Sequence, residues 1–463
     1  MDKDRLSQRE AEYREAVLNG PITPLIIKTC LPLVVYQTIT LIFAIFDTAI
    51  SAHLGEACVS AVAFISQITL LIGSISNGLA VGGSVIIASH YGAGNYEKMR
   101  QSISTFYFLC FLCSVPVLMI YPFSARLLWA LGASETMIKT GMNYFRIDLL
   151  SKIVTFFNAV YLVIERTKGN TRRIMSLNIA SLTIKLTLSL VFVYLLNYGL
   201  DSLAWASLLS KIFILVFGFI ASRDNPLFSF RLENVNLKRD MLIPVFKTAL
   251  PAMFEHVSLY AGKIIVNSMG IIYGDFAIGA LGVSNNLGGI GVAPQLGLQE
   301  GGVSLLSQNY GAGNLPRCRK VFMRLLMVIL VTTAFCFAFV LVFFHPLISL
   351  FSSGNDEFYR MIAETFRYEM LGFFPLGISS AVCALLYASR HTRATLIISF
   401  CRVFVLRVPV LYYLQHYTRF GSRSLGIVML VSNGGTGLIA VVVALFVFFV
   451  IPHFRRKKAA EKV

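Results

Sequence analysis

The stretch YGAGN, Tyr91–Asn95, is spelled again at Tyr310–Asn314, at an offset of 310 − 91 = 219 residues in a chain of 463. Glycine and asparagine tolerate the left-handed backbone that closes a helix, so each copy predicts a helix end and a tight corner. Basic residues follow both copies: Lys98 and Arg100 after the first, and Arg317, Arg319, Lys320 and Arg324 after the second. Working outward, the same offset relates Pro32 to Pro251, Gly55 to Gly274, Ala61 to Ala280, Gly78 to Gly297 and Gly82–Gly83 to Gly301–Gly302. Farther on, FRID (Phe145–Asp148) resembles FRYE (Phe366–Glu369) at 366 − 145 = 221. Chance repeats five letters. It does not hold Pro, Gly and Ala in register over such a length, so the chain is two copies of one half.

Each half reads as a membrane unit. Hydrophobic residues make up 56% of the chain and the mean hydropathy is +0.72, more apolar surface than a soluble domain can bury. Twelve apolar runs, most near the ~20 residues that cross a bilayer, lie at 24–53, 58–88, 102–132, 137–165, 173–198, 200–221, 241–271, 277–307, 320–350, 359–388, 394–416 and 424–452. They are continuous and Leu-rich, without the alternation of outer-membrane strands. The fold class expected is an all-α integral membrane protein of twelve transmembrane helices.

The net charge of +17 would suggest nucleic acid in a soluble chain. Here it sits in alternate loops, including Arg166, Lys168, Arg172 and Arg173, then Arg223, Arg231, Lys238 and Arg239, then Arg390 and Arg393, then Arg455–Lys458. The positive-inside rule assigns it to topology and expects both termini in the cytoplasm, in the plasma membrane, with no nucleic-acid partner. The charged N-terminus lacks the apolar core of a cleaved signal and reads as a short surface helix stopped by Gly20 and Pro21. Cys110 and Cys113, a CxxC inside an apolar run, read as buried hydrophobes.

Six spans per half is an even number, so the copies share orientation as parallel repeats. The divisions expected are a cytoplasmic segment 1–21, a six-helix lobe 22–222, a basic linker 223–240, a second lobe 241–453 and a basic tail 454–463. Two like-oriented lobes around a central cleft form a transporter layout. No phosphate-binding loop, HExxH or metal-spaced Cys/His cluster is present. Neither an enzyme nor a nucleotide-driven pump is expected, and no cofactor. Energy would come from an ion gradient, H⁺ or Na⁺, or from none.

These residues resemble the multidrug and toxic compound extrusion (MATE) transporters. The resemblance rests on PLVVYQTITLIFAIFDTAISAHLG (32–55), with Asp47 fifteen residues after Pro32, on the Gly-rich spans 2 and 8 ending in YGAGN, and on RVFVLRVP (402–409). The second-half QEGGVSLLSQNYGAGN (299–314) is most similar to the DinF-like bacterial branch. The resemblance implies a cation-coupled exporter working by alternating access, with Asp47 as the span-1 acid of the first-lobe ion site. The family's Asn-x-x-x-Asp on span 5 falls on Lys185 and Ser189 here. A lysine at that place would fill a cation site with its own ammonium group.

An ionisable side chain inside a span needs a partner or a proton. Asp47 is the expected coupling acid, with Lys185 as its modifier; Asp47 or Asp148 is the natural partner for Lys185. Glu255 and His256, in PAMFEHVSLYAGK, are candidate cavity residues, with Lys263 two turns on as a possible neutraliser of Glu255. Glu300, peculiar to the second copy, is expected to line the cavity, and Arg402 or Arg407 to pair with Glu300 or Glu255. Asp148 and Glu369 each follow an Arg by two residues and are expected to pair structurally. Tyr36, Phe43, Phe64 and Phe157 are candidates for a greasy cavity. The function expected is export of an amphipathic, cationic small molecule by a monomer in the bilayer, in exchange for H⁺, with Na⁺ the less favoured ion. The alternatives are a flippase for a lipid or lipid-linked sugar, marked by Lys185, Lys263, Arg402 and Arg407 facing the cleft, and a membrane-embedded receptor or enzyme.

Overall fold

In the computed structural model the chain is described over residues 6–450, apart from 55, 224, 226, 353 and 354. Gly55, His453 and the basic tail therefore lie outside the described residues. The first half forms α1 (Gln8–Asn19), α2 (Ile22–His53), α3 (Glu56–Gly92), α4 (Tyr96–Ile120), α5 (Ser124–Ala130), α6 (Glu135–Thr167), α7 (Thr171–Leu190) and α8 (Asp201–Arg223). The second forms α9 (Arg239–Gly270), α10 (Asp275–Gly311), α11 (Leu315–Val342), α12 (Phe344–Ser352), α13 (Asp356–Leu371), α14 (Phe373–Ala388), α15 (Thr392–Phe400), α16 (Val408–Tyr417) and α17 (Arg423–Leu445).

Among the described residues, ten helices are long and apolar enough to cross a membrane. The pair α13 and α14, bent by 43° around Gly372, makes an eleventh if taken as one span. Helix α9 is long enough at 32 residues, but with Lys247, Glu255, His256 and Lys263 along it, it is not among the ten. The runs expected at 102–132 and 320–350 are each broken: α4 ends at Ile120 and α11 at Val342, and the short α5 and α12 follow. Residues 191–195 and 401–407 wind as π-helix, directly after α7 and α15 but ten residues out of register with each other in the repeat.

The repeat is structural as well as literal. Gly94 and Gly313 both have φ of +73°, where a side chain would strain the backbone. Asn95 N–H donates to the His90 carbonyl and Asn314 N–H to the Asn309 carbonyl, each at 3.0 Å. The Asn side chains then cap the next helix, accepting from Lys98 N and Arg317 N. One five-residue sentence thus ends one helix and starts another, twice. Pro32 and Pro251 each free the carbonyl four residues earlier. The Lys28 carbonyl accepts from Thr171 Oγ1 at 3.4 Å, and the Lys247 carbonyl from Thr392 Oγ1 at 2.7 Å. A bent helix is affordable in a bilayer where such a neighbour satisfies the freed group.

The Gly-rich faces of α3 and α10 explain how the halves meet. A Cβ on Gly78 would lie 2.7 Å from the Ala249 carbonyl oxygen, and one on Gly297 would lie 2.6 Å from Val34 N. Gly82 likewise abuts Ala249 and Gly301 abuts Cys30. So α3 packs on α9 of the other half and α10 on α2. At the corners the contact is reciprocal: Gly92 lies on the Gln308 backbone and Gly311 on the Ser89 backbone, a Cβ at either being 2.0 Å from a carbonyl oxygen.

Helix α1, opened by a Ser7–Glu10 capping box, straddles these corners. Arg14 donates to the carbonyls of Tyr91 (3.0 Å) and Gly92 (2.8 Å) in the first. From the second, Arg317 donates to the Val17 carbonyl at 2.9 Å and Asn309 to the same carbonyl at 3.3 Å. The interlobe segment is stitched down too: Leu227 and Phe228 are buried in the core of the first half, and Asn236 N–H donates to Thr105 Oγ1 at 3.1 Å. We call the end of the bundle that carries α1, the two corners and this segment the basic face.

Candidate functional site

Among the described residues, intramembrane charge gathers in four places. In the first lobe, Lys185 of α7 donates to Asp47 Oδ2 of α2. The pair is partly open, with side-chain exposures of 26% for Lys185 and 37% for Asp47. Next to it Lys211 of α8 donates to Ser151 Oγ at 2.7 Å, and Lys152 reaches Asp148 at 3.5 Å along α6. Lys211 is within electrostatic reach of Lys152, Asp148 and Lys185. Ser189 is buried, and its hydroxyl has no partner among the described residues.

Between the lobes, Glu300 of α10 is held from the other half. Gln37 Nε2 of α2 donates to its Oε1 at 2.9 Å, and Arg166 of α6 donates to its Oε2. Arg166 and Tyr36 belong to the same electrostatic neighbourhood, and His256 lies within reach of Glu300 and Glu255. Toward the basic face, Gln308 Nε2 donates to the Thr167 carbonyl at 3.2 Å, and Arg390 to Ser89 Oγ at 3.1 Å. All these cross-lobe bonds lie between Glu300 and the basic face. Asp47 is ten residues beyond Gln37 along α2, about 15 Å at the helical rise. The Glu300–Arg166 bridge is thus a floor, and the Asp47–Lys185 pair stands above it on one wall.

In the second lobe Glu255 accepts from Tyr387 Oη at 2.7 Å and from Ser399 Oγ at 3.1 Å, and is buried. Its polar partners are hydroxyls. Deeper in that lobe Ser284 donates to Glu369 Oε2. Arg402 donates to Asn433 Oδ1 at 2.8 Å, and Arg407 to Ser432 Oγ at 3.2 Å and Asn433 Oδ1 at 3.3 Å. Lys263, Arg402, Arg407 and Glu369 share one electrostatic neighbourhood, three cations to one carboxylate. Arg407 is buried, Arg402 half-buried and Lys263 exposed.

Several expected partnerships are corrected. Lys263 does not neutralise Glu255; two hydroxyls hold that carboxyl, and the lysine lies with the arginines. Glu300 pairs with Arg166, not with Arg402 or Arg407, because its helix faces the first lobe at that level. Asp148 pairs with Lys152, while Arg146 turns to Ser124 at 2.9 Å. Glu369 takes Ser284, while Arg367 lies over the Phe344 ring. Of the four cations named for a flippase, Lys185 is paired with Asp47 in the first lobe, and Lys263, Arg402 and Arg407 gather in the second, where Arg407 is buried. Phe157 lies against Tyr107 outside the clusters.

Arg166, Gln37, Tyr387 and Asn433 are functional candidates that sequence reasoning passed over. Arg166 sits in VIERTKGN, among residues assigned to a basic loop. The signal was the repeat: Arg166 corresponds to Tyr387 at 387 − 166 = 221, and Tyr36 to Glu255 at 255 − 36 = 219. The 36/255 position carries an acid in the second lobe only, while the 166/387 position supplies a partner to an acid in each case, Arg166 to Glu300 and Tyr387 to Glu255.

Known proteins give the same division. One family model, MatE, matches the chain twice, over residues 32–191 and 251–413. The starts are 251 − 32 = 219 apart, the offset of the turns and the prolines. The probable multidrug resistance protein YoeA of Bacillus subtilis (strain 168) is 24% identical over 383 residues, covering 80% of this chain and 82% of that one. The multidrug export protein MepA of Staphylococcus haemolyticus (strain JCSC1435) is 24% identical over 392 residues, covering 83% and 85%. An outward-facing multidrug resistance MATE transporter superposes with a TM-score of 0.88 at 20% identity, covering 99% of this chain and all of that one. The all-helical, two-lobed architecture is shared, and the relatives are transporters rather than enzymes. With each half matched separately by the same model, the chain belongs to the MatE family of multi-pass membrane transporters.

Proposed function

We propose that the protein is a secondary exporter in which protonation of Asp47 is exchanged for outward movement of an amphipathic small molecule. The observation that carries this reading is the Asp47–Lys185 ion pair on the first-lobe wall, above the Glu300–Arg166 floor. A carboxylate inside a span costs at least ~2.5 kcal/mol unless compensated, and here an ammonium compensates it. Protonating Asp47 removes that compensation and leaves Lys185 charged and unpaired, so the wall carries a different net charge in its two states. If the family's cation site falls at Lys185 and Ser189, as the resemblance implies, the ammonium fills it, and that supports H⁺ over Na⁺ as the coupling ion. With both termini taken as cytoplasmic, the basic face is the inner face and the floor closes the inner side. Glu255, held by hydroxyls, is the second-lobe acid that attracts the cationic substrate. The test is proteoliposome transport of a fluorescent organic cation under an imposed H⁺ gradient and then an imposed Na⁺ gradient. H⁺-driven uptake should vanish in Asp47→Asn, and Na⁺ dependence should appear in Lys185→Asn. Transport unchanged in Asp47→Asn would overturn the coupling role.

A second reading has its own observation. Lys263, Arg402 and Arg407 outnumber Glu369, and Arg402 Nε has no partner among the described residues. Such a surplus favours an amphipathic anion or zwitterion, or the phosphate of a lipid-linked sugar. An amphipathic anion run in the same vesicles separates the two. Movement of the anion and not the cation would move the weight to this reading.

A further inference from the structure

The Asp47–Lys185 helices carry a second feature at their basic-face ends, outside the cleft. A pocket of about 530 Å³ opens between α1, α2 and α7. Its wall includes Arg9, Lys28, Arg172 and Arg173, with no Asp or Glu among its lining residues. Arg173 is engaged by Glu165 at 3.2 Å. The side chains of Arg9, Lys28 and Arg172 make no ion pair or hydrogen bond among the described residues. Three unpaired cations around one hollow repel one another, and a topology signal does not require them to share a hollow. The first turn of α7 adds its own polarity, since the Asn170 side chain turns back to Glu165 at 3.0 Å and makes no capping bond.

A second hollow of the same volume joins the first, sharing Lys28 and Arg172. Its other lining is Thr23, Pro24, Ile27, Leu31 and Pro32. Ile27 is 48% exposed and Leu31 54%, on the outer face of a membrane-spanning helix. Cationic pocket and apolar groove run on from each other, the headgroup end at the basic face and the apolar end toward the hydrocarbon.

We propose that this composite site holds one anionic phospholipid, its phosphate among Arg9, Lys28 and Arg172 and an acyl chain along Ile27 and Leu31. A soluble phosphate would use the cations and leave the groove idle; the shared residues favour the lipid. Basic pockets between spans recognise such headgroups, at about 1 kcal/mol, or roughly five-fold in affinity, for each cation. The bound lipid would tie α1 to α2 and α7.

The experiment is native mass spectrometry of the full-length protein in detergent, titrated with phosphatidylglycerol, phosphatidylcholine and glycerol 3-phosphate. The double variant Lys28→Gln/Arg172→Gln is compared with Lys247→Gln/Arg393→Gln, its counterpart in the second half, where α1 is not at hand to complete a pocket. The expected result is preferential binding of phosphatidylglycerol, weakened roughly 25-fold in the first variant and little in the second. Ile27→Asn/Leu31→Asn should weaken the lipid and leave glycerol 3-phosphate unchanged. Equal losses in the two charge variants, binding indifferent to headgroup, or glycerol 3-phosphate binding as tightly as the lipid would each overturn the site. Should a variant fail to fold, photoactivatable phosphatidylglycerol on the unaltered protein decides. Label should fall within residues 22–32 and 169–176; label absent there overturns the proposal.

Discussion

At the scale of residues, two ion pairs stand in different relations to the two halves. The Asp47–Lys185 pair lies within the first lobe, so on the proposed coupling it would form and break without separating the halves. The Glu300–Arg166 pair crosses between halves, so it must break whenever the basic face opens. The two pairs therefore predict different phenotypes. Lys185→Met leaves Asp47 with no ammonium inside a span, whereas Asp47→Asn/Lys185→Met removes both charges. Losing one partner of a buried pair costs about 3–5 kcal/mol; this pair is partly open, and we expect about 1–2 kcal/mol. Thermal unfolding in detergent should show Lys185→Met lowered and the double variant recovering most of the loss. Arg166→Gln should leave H⁺ binding intact and shift the population toward a form open at the basic face. Ser84 is buried beside Arg166, its hydroxyl 3.5 Å from Nη1, so maleimide labelling of a cysteine placed there reads that shift, and labelling no faster than in the unaltered background would count against the floor.

Much of this chemistry was legible in the chain. Charged letters inside apolar runs marked Asp47, Lys185, Glu255 and Glu300 on cost alone. The partners were not legible, because they come from helices remote in sequence, and a lone intramembrane arginine near a loop reads the same whether it faces water or a glutamate. Arg166 was lost in that way, and Lys263 was paired with its neighbour along the helix when its company was on another element.

At the scale of elements, repetition made the sequence readable and small residues made it foldable. The turn, the proline kinks and the glycine faces were visible as letters. That each proline-freed carbonyl would find a threonine, and that each glycine face would meet the opposite half, needed coordinates. Helix interruptions were the hard part: the breaks after Ile120 and Val342 fall inside long apolar runs, where single letters (Pro122 and Arg126, then His345 and Pro346) are their marks and a window-averaged hydropathy smooths them over. Ala at Gly92 or at Gly311 would put a methyl 2.0 Å from a carbonyl oxygen of the other half, an overlap that only separation of the corners relieves. Each single variant should keep its fold, fail to close at the basic face and lose transport to a similar degree. Ala at Gly434, where a Cβ meets nothing within 4 Å, is the control. Strong transport by Gly92→Ala would show that the corners need not meet. Thr171→Val and Thr392→Val should each cost about 1–2 kcal/mol by stranding a carbonyl, read as a lowered midpoint of thermal unfolding.

At the scale of the whole molecule, α1 is a strap across both halves on the side where the lobes touch. It gives to the first corner through Arg14 and takes from the second through its own last carbonyls. Removing residues 1–20 should therefore speed opening of the basic face without affecting the Asp47–Lys185 pair. Labelling of the Ser84 cysteine in the truncated chain measures this, and an unchanged rate would reduce α1 to a passive cover.

The interlobe segment has a further consequence, for connectivity. With Leu227 and Phe228 sunk into the first half and Asn236 bonded to α4, the chain up to Asn236 moves with that half, and the slack is confined to the few residues before α9. The covalent join is then the least important thing holding the halves together. A gene cut after Lys238 should yield two polypeptides that find each other in the bilayer through α2 with α10 and α3 with α9, and a cut at Ser222 should not.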